Sequence, residues 1–171
     1  TEVLLESIDC YGFYQAIQKA IGMFGVVVYD REARKLYLAR DRFGEKSVYY
    51  GWHRGRFLFG SELKAFKALD FFQPEIDMDS IYLYLKYKYV KAPWSIYKEI
   101  YKLLPGQIVT LDLTTNAISK QTYYNLEDVA REGEKNITNL SPEECVGELE
   151  RILTNVISRQ LKADVPVGLF L

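Results

Sequence analysis

Between Met23 and Ser61 the chain alternates short runs of β-branched and aromatic residues with short polar turns. An antiparallel sheet is what such a pattern builds. The runs are MFGVVVYD (23–30), KLYLARD (35–41), SVYYGWH (47–53) and RFLFGS (56–61). The polar stretch from Asp30 to Arg34 joins the first two as a hairpin, and Arg54-Gly55 joins the second two. A third hairpin is expected after the turn signal Leu104-Pro105-Gly106, from QIVTLDL (107–113) and AISKQTYY (117–124) through Thr114, Thr115 and Asn116.

Helices flank these strands. Residues 2–8 and 13–21 read as helical, and in the second Phe13, Ala16, Ile17, Ala20 and Ile21 recur at helical spacing. Residues 62–69 read as a short helix. Asp77 or Asp79 can cap another that runs to about Tyr89, before Ala92-Pro93 breaks it. Charge rises and apolar periodicity fades over 125–140, which predicts a linker. A strong helix start follows, with Ser141 as N-cap, Pro142 at the first helical position and Glu144 closing a capping box. Val146, Leu149, Ile152, Leu153, Val156 and Ile157 mark one apolar face of that helix. The stretch Asp164 to Leu171 then reads as a buried strand. Both ends read as cuts, because the chain opens on what looks like the interior of a helix and stops on an apolar strand.

Few residues offer chemistry by themselves. A chain 49% hydrophobic and 26% charged builds a core rather than a disordered polymer. Its net charge of −1 supplies no global pull toward nucleic acid or anionic membrane. Cys10 and Cys145 lie far apart and form neither a disulfide framework nor a zinc pattern, so both are expected as reduced thiols in a cytoplasmic protein. Cys10 follows Asp9 with no base beside it and reads as a small apolar residue at a helix boundary. Cys145 reads as a packing residue. His53, the one histidine, sits at a hairpin turn and reads as an exposed turn residue rather than a catalytic base. The lysine–tyrosine alternation of KYKYVK (86–91) could stack and neutralise single-stranded nucleic acid. With charge near zero, it reads instead as a solvated helix end.

Four strings in order resemble the asparagine synthetase family. GMFGVVVYDREARKLYLARDRFGEKSVYYG (22–51) looks like the central sheet of that family's glutaminase domain. FGSELKAF (59–66) resembles the strand-to-helix turn after it, and LPGQIVTLDL (104–113) the domain's last hairpin. DVPVGLFL (164–171) resembles the strand leading into the family's ATP-pyrophosphatase loop. Ser47 departs from the family's usual proline.

The resemblance implies an α+β architecture in two parts. Residues 1–124 would be the C-terminal part of a class II glutamine amidotransferase domain, an N-terminal-nucleophile-hydrolase-like αββα sandwich without its first strands. Residues 125–140 would be a linker. Residues 141–171 would be the first helix and strand of an α/β nucleotide-binding synthetase domain. It also implies a reaction. An N-terminal cysteine hydrolyses glutamine, and ATP with Mg2+ activates an aspartate-like carboxylate as an acyl-adenylate. Ammonia, kept neutral on an internal path, then displaces AMP. On this reading Thr1 is not the nucleophile, because it matches a later family position, and the segments that bind glutamine belong upstream of it. The stretch itself is therefore expected to be inactive. Leu171 matches a position that contributes to the adenine-nucleotide pocket. Asp41, Arg42, Gly44, Ser61 and Glu62 read as structural, with Arg42 and Glu62 as a candidate ion pair. Family members are often homodimers. A β-lactam-synthetase-like ligase without glutaminase activity, and a non-catalytic binding module, are the rival readings.

Overall fold

The computed structural model describes residues 2–162 and 164–168. Thr1 and Leu171 lie outside the described residues. The chain divides into two compact units at Asn125/Leu126.

The first unit opens with helices α1 (Glu2–Tyr11) and α2 (Phe13–Lys19). Strands β1 (Gly25–Asp30), β2 (Lys35–Arg40), β3 (Tyr49–His53) and β4 (Arg56–Gly60) follow. Helices α3 (Leu63–Lys67) and α4 (Met78–Tyr87) come next, then β5 (Ile100–Lys102), β6 (Gln107–Asp112) and β7 (Ile118–Thr122). The four successive strands do not share one sheet. Hairpin β1–β2 joins hairpin β6–β7 in the order β1-β2-β6-β7, while hairpin β3–β4 takes β5 on its other side, in the order β4-β3-β5. Every pairing is antiparallel. The break falls at Asp41–Val48, where the chain leaves the first sheet and enters the second.

Side-chain alternation explains the packing. Along β2, Leu36 and Leu38 point to one face and Tyr37 and Ala39 to the other. Leu36 and Leu38 join Val109 and Leu111 of β6 and Tyr50 of β3 in one buried cluster, which holds the two sheets face to face. The register sets Leu38 opposite Val109 and Leu36 opposite Leu111. Ala39 and Ile108 face the other way and are covered by Phe13 and Ile17 of α2 and by Leu4 and Ile8 of α1. On the outer face of the second sheet, Leu58 and Ile100 are covered by Phe66 of α3 and by Phe72. Helices thus lie outside two packed antiparallel sheets.

The turns follow local chemistry. Asp30 Oδ1 accepts from Ala33 N at 2.8 Å in the β1–β2 turn. Asp112 Oδ1 accepts from Thr114 N at 2.8 Å and Thr115 N at 2.9 Å in the β6–β7 turn. Of the two candidate caps for α4, Asp77 serves, accepting from Asp79 N at 3.1 Å. Strand β5 was not legible, because three residues carry no alternation pattern. Gly51 in β3 is where it crowds in, since a side chain there would collide with the Glu99 carbonyl.

The second unit holds α5 (Leu126–Lys135) and α6 (Pro142–Gln160). The stretch expected to be a bare linker therefore carries a helix. Its ends are biased correctly for the helix dipole, with Glu127 and Asp128 in the first turn and Lys135 in the last. Arg131 pairs with Glu127 and Asp128 along its surface. At α6 the capping box is complete. Ser141 Oγ accepts from Glu144 N at 3.3 Å, and Glu144 Oε2 accepts from Ser141 N at 2.8 Å. Its apolar face, including Val146, Leu149 and Ile157, is exposed. Residues 164–168, expected to begin a buried strand, are irregular and exposed. A strand needs a neighbour for its backbone groups, and among the described residues this unit contains no other strand. The rest of that predicted strand lies outside the described residues.

Candidate functional site

A dense polar constellation sits where β2 ends. Asp41 is 1% exposed. Its Oδ1 accepts from Phe43 N at 3.2 Å and Glu45 N at 2.9 Å, and its Oδ2 accepts from Lys46 N at 3.0 Å. One carboxylate thus folds the whole 41–46 loop around itself. Burial pushes the Asp41 carboxyl up. Backbone hydrogen bonds at Lys46, Glu45, Phe24 and Phe43 together outweigh that, and its pKa lies below the ordinary value. The main chain of Asp41 ties in the next element as well, since its carbonyl accepts from Gly106 N at 2.9 Å.

Arg40 and Arg42 complete the node from either side. Arg40 Nε donates to Lys46 O at 2.8 Å and Nη1 to Leu103 O at 2.7 Å, and Nη2 donates to Gly44 O. Arg42 Nη1 donates to Ala20 O at 2.6 Å and Nη2 to Gln18 O at 2.7 Å. Those carbonyls close the C-terminal end of α2, where a cation offsets the helix dipole. Arg42 therefore does not pair with Glu62. Glu62 is held instead by the exposed Lys64, at 2.8 Å. Arg42, two residues past the end of β2, points toward α2, and β4 belongs to the other sheet.

Tyrosines seal the node. Tyr123 Oη donates to Arg40 O at 2.8 Å. Burial pushes this phenol up to about 12, so it remains a neutral donor through the physiological range. Tyr123 N and Tyr124 N both donate to Gly106 O. Gly106 has φ 62°, and any side chain there would collide with the Tyr124 carbonyl. The Tyr124 ring stands edge-on to Phe43 at 5.8 Å and lies 5.7 Å from the Arg42 guanidinium. All of this fixes the shape of the 41–46 loop. With its carboxylate filled and its phenol neutral, the node offers rigidity rather than a proton or a nucleophile.

The other candidates scatter. Cys10 is exposed on α1, outside the first sheet. His53 is not an exposed turn residue. It is 8% exposed, its Nε2 accepts from Gln73 N at 3.1 Å, and its ring stands edge-on to Phe72 at 4.9 Å. It closes β3 just before the turn, and the strand's alternation turns it under the segment after α3. Since Cys10 lies on the outer helix layer of one sheet and His53 on the outer face of the other, the fold does not bring them together. Cys145 is half-buried on α6, with its Sγ 3.9 Å from Leu140 O. Ser61 and Glu62 lie just before α3. Leu171, the one position implied in nucleotide contact, is outside the described residues. Among those residues no three His, Cys, Asp or Glu side chains are placed to hold a metal ion. No described helix is long and apolar enough to cross a membrane.

Sequence reasoning missed Arg40, Lys102 and Tyr123. Arg40 had a signal, because it continues the inward-facing series Leu36, Leu38 along β2. Tyr123 had none, since its partner is 83 residues away.

The family model described as a glutamine amidotransferase domain matches residues 1–124. The chain belongs to that family. The match ends beside the boundary between the two compact units. A putative asparagine synthetase [glutamine-hydrolyzing] 2 of Methanocaldococcus jannaschii is 31% identical over 100% of this chain and 32% of its own length. Asparagine synthetase [glutamine-hydrolyzing] 1 of Bacillus subtilis is 30% identical over 100% of this chain and 26% of its own length. The same organism's asparagine synthetase [glutamine-hydrolyzing] 2 is 29% identical over 91% of this chain and 21% of its own length. The chain therefore spans about a third or less of the length of these relatives. The amidotransferase family and the asparagine synthetase likeness agree with the reading of the four strings.

Proposed function

We propose that this amidotransferase stretch belongs to a glutamine- and ATP-dependent ligase that converts aspartate, or a closely related carboxylate, to its amide. The observation that carries the proposal is that the likeness to asparagine synthetases runs past residue 124, through α5 and α6, over 100% of the chain. A glutaminase module alone would account for residues 1–124 only. Helices outside two face-to-face antiparallel sheets support an αββα sandwich of the N-terminal-nucleophile-hydrolase kind for the first unit. The second unit would then open the nucleotide-binding domain, with Leu171 against the adenine and ATP·Mg2+ supplying the leaving group.

Within that scheme, residues 2–125 act as scaffold. The Asp41 node locks the 41–46 loop between the two sheets. Rigid walls are what a path for neutral ammonia requires, because water entering it would protonate the nucleophile. The cytoplasm is the proposed compartment, in keeping with two free thiols, and the proposed assembly is a homodimer.

The test is nucleotide turnover by the full-length protein with Mg2+. The proposal expects AMP and pyrophosphate to form from ATP only when aspartate is present, and glutamate to form from glutamine in parallel. AMP formation without glutamine consumption would favour a ligase of the β-lactam-synthetase kind. No turnover of either substrate would leave a binding module.

A further inference from the structure

Two half-buried cations converge at the end of the three-stranded sheet with no carboxylate between them. Lys102 and Tyr49 are register partners on β5 and β3, so their side chains leave the same face of the sheet. The Lys102 ammonium lies 5.8 Å from the centre of the Tyr49 ring. Arg40 reaches the same corner from the other sheet, and its Nη1 donates to the carbonyl of Leu103, the residue after Lys102.

The donors outnumber their acceptors. An ammonium carries three N–H donors and a guanidinium five. Lys102 uses one, to Val90 O at 2.6 Å. Arg40 uses three, to Lys46 O, Leu103 O and Gly44 O. The Tyr49 hydroxyl has no hydrogen-bond partner among the described residues. All the acceptors that these cations do have are neutral carbonyls. Asp41, next to Arg40 in sequence, has its carboxylate filled by three backbone N–H groups. No ion pair among the described residues includes Arg40 or Lys102.

The electrostatics point the same way. Burial lowers the pKa of Lys102, and the nearby Arg40 guanidinium lowers it further. Burial likewise lowers that of Arg40 and raises that of Tyr49. Burial disfavours the charged form of each, the Asp41 carboxylate offsets part of this at Arg40, and an anion in their midst would favour both cations. All three side chains keep part of their surface in contact with solvent, so a small ion can reach them.

We propose that Lys102, Tyr49 and Arg40 form a binding site for a single oxyanion, the phosphate or carboxylate group of a small ligand. Lys102 supplies the charge and two free N–H donors. Tyr49 supplies an O–H donor that no protein group uses. Arg40 is fixed by its three carbonyls and contributes field and direction. The site does not depend on the ligase reading, since it involves no residue of the amide-transfer chemistry.

The experiment is a thermal melt and a calorimetric titration of the full-length protein with sodium phosphate, and separately with sodium acetate. Sodium chloride of matched ionic strength is the reference. The proposal expects saturable binding and a raised Tm with at least one of the two anions. Response to phosphate alone identifies a phosphate source, and response to acetate identifies a carboxylate. Lys102→Met should weaken binding about tenfold or more, because it removes a charge-assisted contact. Its Tm in chloride should stay equal or rise, because an unpaired half-buried cation is gone. Tyr49→Phe, which keeps the ring, should weaken binding about threefold or more. Melts in phosphate and acetate that both coincide with the chloride melt would overturn the proposal. So would undiminished binding by both variants.

Discussion

Asp41 shows how one side chain sets the shape of a region. Its buried carboxylate takes three backbone N–H groups of the 41–46 loop. Asp41→Asn keeps the shape but replaces the charged acceptor with one amide oxygen and an N–H2 that faces a donor. The expected loss is about 2–4 kcal/mol of unfolding free energy, read by urea denaturation. The pH dependence has a definite sign. The folded pKa of Asp41 lies below its ordinary value. The stability that it contributes is therefore complete above about pH 4, the unfolded carboxyl's value. It is lost as pH falls through the folded pKa. Asp41→Asn should flatten that acid limb, and an unchanged acid limb would show that Asp41 is not the group responsible. At this scale the sequence was only partly readable. A structural role for Asp41 was legible from the family-like string that holds it, but its burial was not. The true partners of Arg42, two carbonyls at the end of α2, were not, because backbone acceptors leave no trace in residue identity. His53 was misjudged for a related reason. Its neighbours Arg54 and Gly55 announce a turn, but the segment that buries it lies 20 residues on, at Gln73.

Among the elements, those with a period were legible and those without were not. The three hairpins β1–β2, β3–β4 and β6–β7 fall where alternation and turn residues place them. Their allocation to two sheets was not readable, because it depends on pairings such as β2 with β6, some 70 residues apart. Helix α6 was the best-specified element, since its cap is written in the four residues Ser141-Pro142-Glu143-Glu144. Ser141→Ala should cost about 1 kcal/mol by removing the acceptor for Glu144 N. Far-UV circular dichroism of a peptide spanning 138–162 would then show reduced helix, and equal helicity in the two peptides would refute the capping role. Helix α5 was overlooked because its apolar set, Leu126, Val129 and Ala130, spans little more than one turn amid charged residues. Its support comes from charge order and surface ion pairs instead.

For the whole molecule, antiparallel sheets flanked by helices in the first unit, the amidotransferase match over 1–124 and the synthetase likeness over the full chain all agree. The agreement is informative because the sources differ. Packing follows from alternation and burial, whereas family membership follows from the order of strings along the chain. On the proposed ligase reading, glutamine nitrogen ends up in a new side-chain amide. The direct measurement supplies the full-length protein with amide-15N glutamine, aspartate, ATP and Mg2+, and follows the label by NMR. The account predicts 15N in the side-chain amide of asparagine, or of the amide formed from a related acceptor. Label that stays in glutamine, or appears only as free ammonium while ATP is consumed, would contradict it.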